Sequence, residues 1–255
     1  MIVKSKDAIL KMRTAGRLLA VIFENIKPIV IAGATTADID AWIERELKKS
    51  DMISQSQGYM GYRHVSCVSV NDVIVHGVPS QDIVLKDGDI VTVDVCASWG
   101  GYCADMARCF VIGTISKEAQ TLIDCAQDAL NKGIQAAVVG NRLFDISHAI
   151  QQTIEKCGFG IVRDFAGHGI GKSMHENPDL PNYGEAGTGM RLKAGMTFAI
   201  EPMIMIGSEK VTIDRDEWTA RTKDGSLAAH IEDTVLITED GPEILTRLLE
   251  KVIEK

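Results

Sequence analysis

Residues 90–113 read IVTVDVCASWGGYCADMARCFVIG. Two β-prone runs, 90–96 and 102–112, flank the segment Ser98-Trp99-Gly100-Gly101. Valine and threonine suit a pleated surface, and adjacent glycines supply the positive φ of a tight hairpin turn. With the turn centred between Trp99 and Gly100, Asp94 is expected opposite Asp105 and Cys96 opposite Cys103. Directly opposed Cβ atoms lie roughly 4.5–5.5 Å apart. Val91, Val93 and Val95 then take the other face, toward a core.

Two carboxylates held that close repel, and in a half-buried site one of them takes a proton. A divalent cation, or a pair of cations bridged by both side chains, offsets that cost directly. A bulge or another loop register that turns one aspartate to water is the alternative. Ligands elsewhere in the chain decide between the two.

The length suits one large domain or two small ones. Acidic residues outnumber basic ones, 35 Asp+Glu to 27 Lys+Arg, and no long basic run occurs. That argues against nucleic acid or an anionic membrane as a direct ligand. Met1-Ile2-Val3-Lys4 leads straight into a helical pattern, so neither a signal peptide nor a membrane span is expected. The six cysteines, Cys67, Cys96, Cys103, Cys109, Cys125 and Cys157, include no C-x-x-C pair. This points to a reducing, cytoplasmic setting with each thiol as a small buried hydrophobe, Cys96 and Cys103 being close enough to oxidise.

Helices are expected from Ser5, as cap, to about Ile26, over 37–49, from a Ser116 cap to about Ala137, and over 144–156 with Gly158 as the stop. Strands are expected over 65–70, 161–165, 196–205 and 229–238. A faint repeat relates Gly33 and Asp38-Ile39 to Gly140 and Asp145-Ile146, each opening a second helix. The pattern describes an α+β chain: two pseudo-symmetric helix-helix-strand halves, about 1–113 and 114–255, around a shared antiparallel sheet in a single domain over 1–255.

Three later segments place acid or histidine in otherwise buried backbone. His168 lies in Gly167-His168-Gly169-Ile170-Gly171, with His175-Glu176 beyond it. Glu201 sits in the apolar run Phe198-Ala199-Ile200-Glu201-Pro202-Met203, and Glu232 in His230-Ile231-Glu232-Asp233-Thr234. Glu232 and Asp233 face opposite ways, so at most one of them belongs to a site. With Asp94 and Asp105, these form an oxygen-rich set suited to paired manganese, iron, cobalt or zinc rather than a structural zinc. A two-metal site ionises a bridging water near neutral pH and polarises a carbonyl.

The ordered motifs VHGVP, DVCASWGGYCADMARCF, GHGIGKSMHENP, FAIEPM and HIEDTVLIT, from the first helix to about Thr246, resemble the type I methionine aminopeptidases. The resemblance implies the pita-bread fold and two divalent metal ions held by Asp94, Asp105, His168, Glu201 and Glu232. By that resemblance Asp105 and Glu232 bridge, Asp94 serves one ion, and His168 and Glu201 serve the other. It also implies catalytic roles for His76, His175 and Glu201, and a substrate pocket of His76, His175, Tyr59, Tyr62, Cys67, Met174 and Trp218. The implied activity is removal of the initiator methionine from nascent proteins when the second residue is small, by attack of a metal-bridging hydroxide. The implied partners are N-termini of nascent polypeptides at the ribosome, met by a cytoplasmic monomer. The segment 207–230 leaves no room for the helical insertion of the type II enzymes, so the short bacterial form is expected. The competing readings are a catalytically dead binding module of the same fold and a proline-specific fold-mate.

Overall fold

The computed structural model describes residues 3–248; Met1, Ile2 and residues 249–255 lie outside the described residues. The helices follow their sequence signals. In α1 (Lys6–Asn25) the Ser5 side chain accepts the Ala8 N–H, and in α3 (Lys117–Ala136) Ser116 does the same for Ala119. The helix α2 spans Thr36–Lys49, and α4 spans Leu143–Cys157. Gly158 ends α4 in the left-handed conformation, φ 79°, which a side chain rarely adopts. The repeat is visible in the caps. Asp38 accepts the Thr35 N–H at 2.9 Å, and Asp145 the Arg142 N–H at 2.7 Å.

A nine-stranded sheet holds both halves together. Its members are β1 (Ile53–Ser54), β2 (Cys67–Val70), β3 (Ile90–Trp99), β4 (Tyr102–Val111), β5 (Gly167–Gly169), β6 (Glu176–Leu180), β7 (Thr197–Ile200), β8 (Glu232–Thr238) and β9 (Gly241–Ile244). The order is β1-β3-β4-β8-β7-β5-β6, with β2 also on β3 and β9 on β8. Val91, Val93 and Val95 pack in one core with α1 and α2. Phe198, Ile200 and Val235 pack in another with α3 and α4. The 207–230 segment carries the short strands Val211–Ile213 and Ala220–Thr222 and no helix.

The hairpin register differs from the expected one. Gly100 and Gly101, at φ 57° and 79°, form the loop themselves, and Trp99 pairs with Tyr102. Asp94 therefore lies opposite Ala107 and Asp105 opposite Cys96. The aspartates are diagonal neighbours on one face, not a directly opposed pair. Cys103 pairs with Ser98 rather than Cys96, and all six cysteines are free, with Cys157 exposed and Cys109 partly so.

Two long strands expected from the sequence are each broken. The 196–205 run splits into β7 and Met203–Met205, and the 229–238 run into Ala228–His230 and β8. Asp233 pairs with Ile200 and His230 with Met203, so the register is continuous across the gap. Pro202 has no N–H to give the ladder, which parts there. The run at 161–165 keeps only Gly160–Ile161 as strand, and that at 65–70 only Cys67–Val70.

On the helix-facing side Asp233 is wholly buried, and it accepts hydrogen bonds from Arg108 at 2.5 Å, Thr246 at 2.8 Å and Arg247 at 2.8 Å. Removing one partner of a buried ion pair strands the other charge, at a cost of about 3–5 kcal/mol. Asp233→Ala should lose that much folding free energy in urea unfolding, although Asp233 does not face the site; a change under about 1 kcal/mol would contradict the account.

Candidate active site

The sheet register brings the acids and His168 together on the face away from the helices. Asp94, Ala107 and Glu232 lie side by side across β3, β4 and β8. One step along, Thr234, Ala199 and His168 line up across β8, β7 and β5. Thr234 Oγ1 joins Asp105 to this row by taking its N–H at 2.8 Å and donating to its carbonyl at 2.9 Å. Glu201 lies two residues after Ala199, on the same face. Alanine and threonine between the acids leave the volume above the sheet open. Gly167 permits the close approach of β5: a Cβ there would stand 2.5 Å from the Ala199 carbonyl oxygen.

The acids are desolvated. Asp105, Glu201 and Glu232 are buried, and Asp94 is half-buried. Burial, then the neighbouring Asp105, pushes the Asp94 carboxyl up to about 8. Burial pushes Asp105 up to about 6, while Glu201 and Glu232 rise well above the carboxylate range, again through burial and then Asp105. Imidazoles face these groups. His168 Nε2 stands 3.5 Å from Glu201 Oε1 and 4.0 Å from Asp105 Oδ2. Its Nδ1 lies 3.0 Å from the Gly169 carbonyl oxygen, to which it donates in the tautomer that leaves Nε2 bare toward the acids.

This donor set fits divalent cations. One ligand atom each from Asp105, His168 and Glu232 lies within 4.8 Å of the others, and the same holds for Glu201, His230 and Glu232. Glu232 Oε1 is buried with no hydrogen-bond partner, an expensive state unless a cation is bound. Hard carboxylate oxygens with imidazole nitrogen suit manganese, iron, cobalt or zinc.

Above the acids is a cavity of about 260 Å³. Tyr59, Tyr62, Cys67, Met174 and Trp218 all line it, together with His76 and His175. Tyr62 and Trp218 meet edge to face at 4.9 Å. His175 is exposed at the rim, with Nδ1 3.2 Å from the Tyr59 hydroxyl and its ring 4.4 Å from that of His168. His76 follows the strand Val73–Val75 at φ 58°, a left-handed conformation uncommon outside glycine. Burial pulls its ring down to about 4, so it is neutral at neutral pH. Phe165, Asp179 and His230, outside the set expected from sequence, also line the cavity. His230 was legible: it stands two residues before Glu232, on the same side of an alternating strand.

The chain matches the family model of metallopeptidase family M24 over residues 10–239. It is 47% identical over 245 residues to a methionine aminopeptidase of Clostridium acetobutylicum, covering 96% of this chain and 98% of that one. The crystal structure of a methionine aminopeptidase from Thermotoga maritima superposes with a TM-score of 0.95 at 42% identity, covering 97% of this chain and 100% of that one. An Xaa-Pro dipeptidase from Bacillus anthracis has the same fold at TM-score 0.78 and 23% identity, with 98% and 63% covered.

The desolvated acids set a pH dependence. Without metal, Asp94 holds its proton up to about pH 8 in the fold but loses it near the ordinary 3.8 when unfolded. His76 and His168, lowered from 6.5 to about 4, are neutral in both states above 6.5. The fold therefore binds more protons than the unfolded chain, and stability falls as pH rises from about 6.5 to 8. Urea unfolding in chelator should show this fall, and saturating divalent metal should remove it. A metal-free stability that rises across that window would contradict the desolvation account.

Proposed function

The chain belongs to metallopeptidase family M24, and on that footing we propose that it removes N-terminal methionine from polypeptides by metal-dependent hydrolysis, as a methionine aminopeptidase of pita-bread fold. What carries the reading is a row of buried acids and an imidazole at the floor of a cavity walled by Tyr62, Met174 and Trp218. An apolar, aromatic-lined cavity suits a thioether side chain, and the acids stand where the scissile bond of a bound terminus would lie.

In this reading Asp94, Asp105, His168, Glu201 and Glu232 hold two divalent ions from among cobalt, manganese, iron and zinc. Asp105 and Glu232 lie on the adjacent central strands β4 and β8, where both would hold a cation bound between them. Ions held there supply a Lewis acid for the carbonyl and acidify water. The remaining work belongs to the chain. Glu201, kept basic enough by desolvation to carry a proton, passes it toward the leaving amine. His175, oriented by Tyr59, donates to the developing oxyanion. His76, neutral in its left-handed turn, contacts the substrate backbone beyond the scissile bond. Tyr59, Tyr62, Cys67, Met174 and Trp218 enclose the methionine side chain. The substrates are N-termini of nascent chains, met at the ribosome in the cytoplasm by a single-domain monomer.

With manganese or cobalt added, Met-Ala-Ser should be cleaved and Ala-Pro-Ala should not; the reverse preference would assign the chain to proline-specific chemistry. His76, His168 and His175 all line the cavity, and in this reading their imidazoles leave little volume beyond the scissile bond. Met-Ile peptides should accordingly fall about tenfold or more below Met-Ala peptides in kcat/KM, roughly 1.4 kcal/mol of transition-state binding. Equal values would remove the steric argument.

His175→Ala should lower kcat about 10²–10³-fold, the usual cost of one oxyanion donor, with His76→Ala milder. Metal binding by calorimetry should be unchanged in both. Loss of a metal equivalent with kcat retained would make His175 a ligand instead.

A further inference from the structure

We propose that His230 is a nitrogen ligand of the metal centre, sharing an ion with Glu201 and Glu232. The inference rests on the reading of the acid cluster as a metal centre and adds a residue to it. His230 is 2% exposed, and both of its ring nitrogens are buried without a hydrogen-bond partner. A buried imidazole normally finds a partner for at least one nitrogen, since an orphan costs about 1–3 kcal/mol. Here the ring is aimed at acids. Nε2 stands 3.4 Å from Glu201 Oε2 and 3.8 Å from Glu232 Oε2. These separations are long for hydrogen bonds. They suit ligands around one ion: with bonds of about 2.0–2.2 Å, donors at tetrahedral angles lie about 3.3–3.5 Å apart.

Glu201 is placed to serve both rings, with Oε1 toward His168 and Oε2 toward His230. The backbone holds the ring in place. His230 pairs with Met203 in the small sheet, and its carbonyl accepts the Thr92 hydroxyl at 3.2 Å. A second imidazole makes the centre richer in nitrogen. That shifts its preference from manganese toward iron, cobalt and zinc, which imidazole suits better.

The test is nitrogen NMR of the full chain carrying ¹⁵N-histidine and loaded with ¹¹³Cd. Two imidazole nitrogens should show coupling to cadmium, from His168 and His230, and His230→Gln should remove one. Zinc affinity of that variant by competition calorimetry should fall at least about tenfold. A single coupled nitrogen in the unaltered chain would overturn the assignment, and that measurement does not depend on how the variant folds. Cleavage of Met-Ala-Ser separates the two inferences. Normal cleavage with one coupled nitrogen sinks only the role of His230. Two coupled nitrogens without cleavage uphold the ligand and sink the functional reading.

Discussion

The structure depends on keeping several carboxylates out of water on one face of a sheet. Asp105, Glu201 and Glu232 are buried and Asp94 is half-buried; burial raises the proton affinity of all four, and Asp105 raises that of the other three further. Isolated charges in such a place cost several kcal/mol each, so the rest of the fold must hold the acids where a cation can reach them all. The sheet does this with strands from both halves of the chain. Its opposite face is sealed by two separate helical cores, α1 with α2 and α3 with α4. The same parity that turns Glu232 to the acids turns Asp233 to the helices, where Arg108 and Arg247 neutralise it. Arg108 also donates to the Glu232 carbonyl, so one guanidinium braces the backbone on which both acids sit.

The loops that frame the cavity are fixed by polar groups outside it. Asp40, on α2, accepts from the Val65 and Ser66 N–H groups and the Ser66 hydroxyl, and its other oxygen faces His64 Nδ1 at 3.1 Å. That clamp sets the segment bearing Tyr62 and Cys67. Lys4 donates to Glu176 at 2.6 Å, and Glu176 also accepts the Lys172 N–H at 2.9 Å. The residues between, Met174 and His175 among them, are thereby tied to the start of the chain. Lys4 is itself buried, so loss of Glu176 would take a partner from a charge held away from water.

Much of this was legible because helices announce their ends locally. Ser5, Ser116 and Gly158 cap or stop helices as their residue types require. The acids and His168 were legible because a charge inside an apolar run is costly and so conspicuous. The hairpin register was not, since Ser98-Trp99-Gly100-Gly101 offers two turn centres and only strand pairing chooses between them. The diagonal placement of Asp94 and Asp105 still leaves them on one face, because the shift was by an even step. The strand breaks at Pro202 and Ile231 were hidden by unbroken hydrophobicity on both sides. The alternation places His230 on the same side as Glu232, but its orphaned nitrogens, which set it apart from an ordinary core histidine, become visible only in three dimensions.

The gap at Pro202 has a consequence for how this stretch can vary. Pairing resumes beyond it in the same register, Met203 with His230, as though no interruption had occurred. Side chains in a strand alternate strictly, so adding or deleting one residue between Ile200 and Met203 would exchange the two faces downstream. Glu201 would turn into the helical core, or the apolar residues after it would turn into the cavity. Substitutions in this stretch can be absorbed one side chain at a time, but its length is a counted quantity.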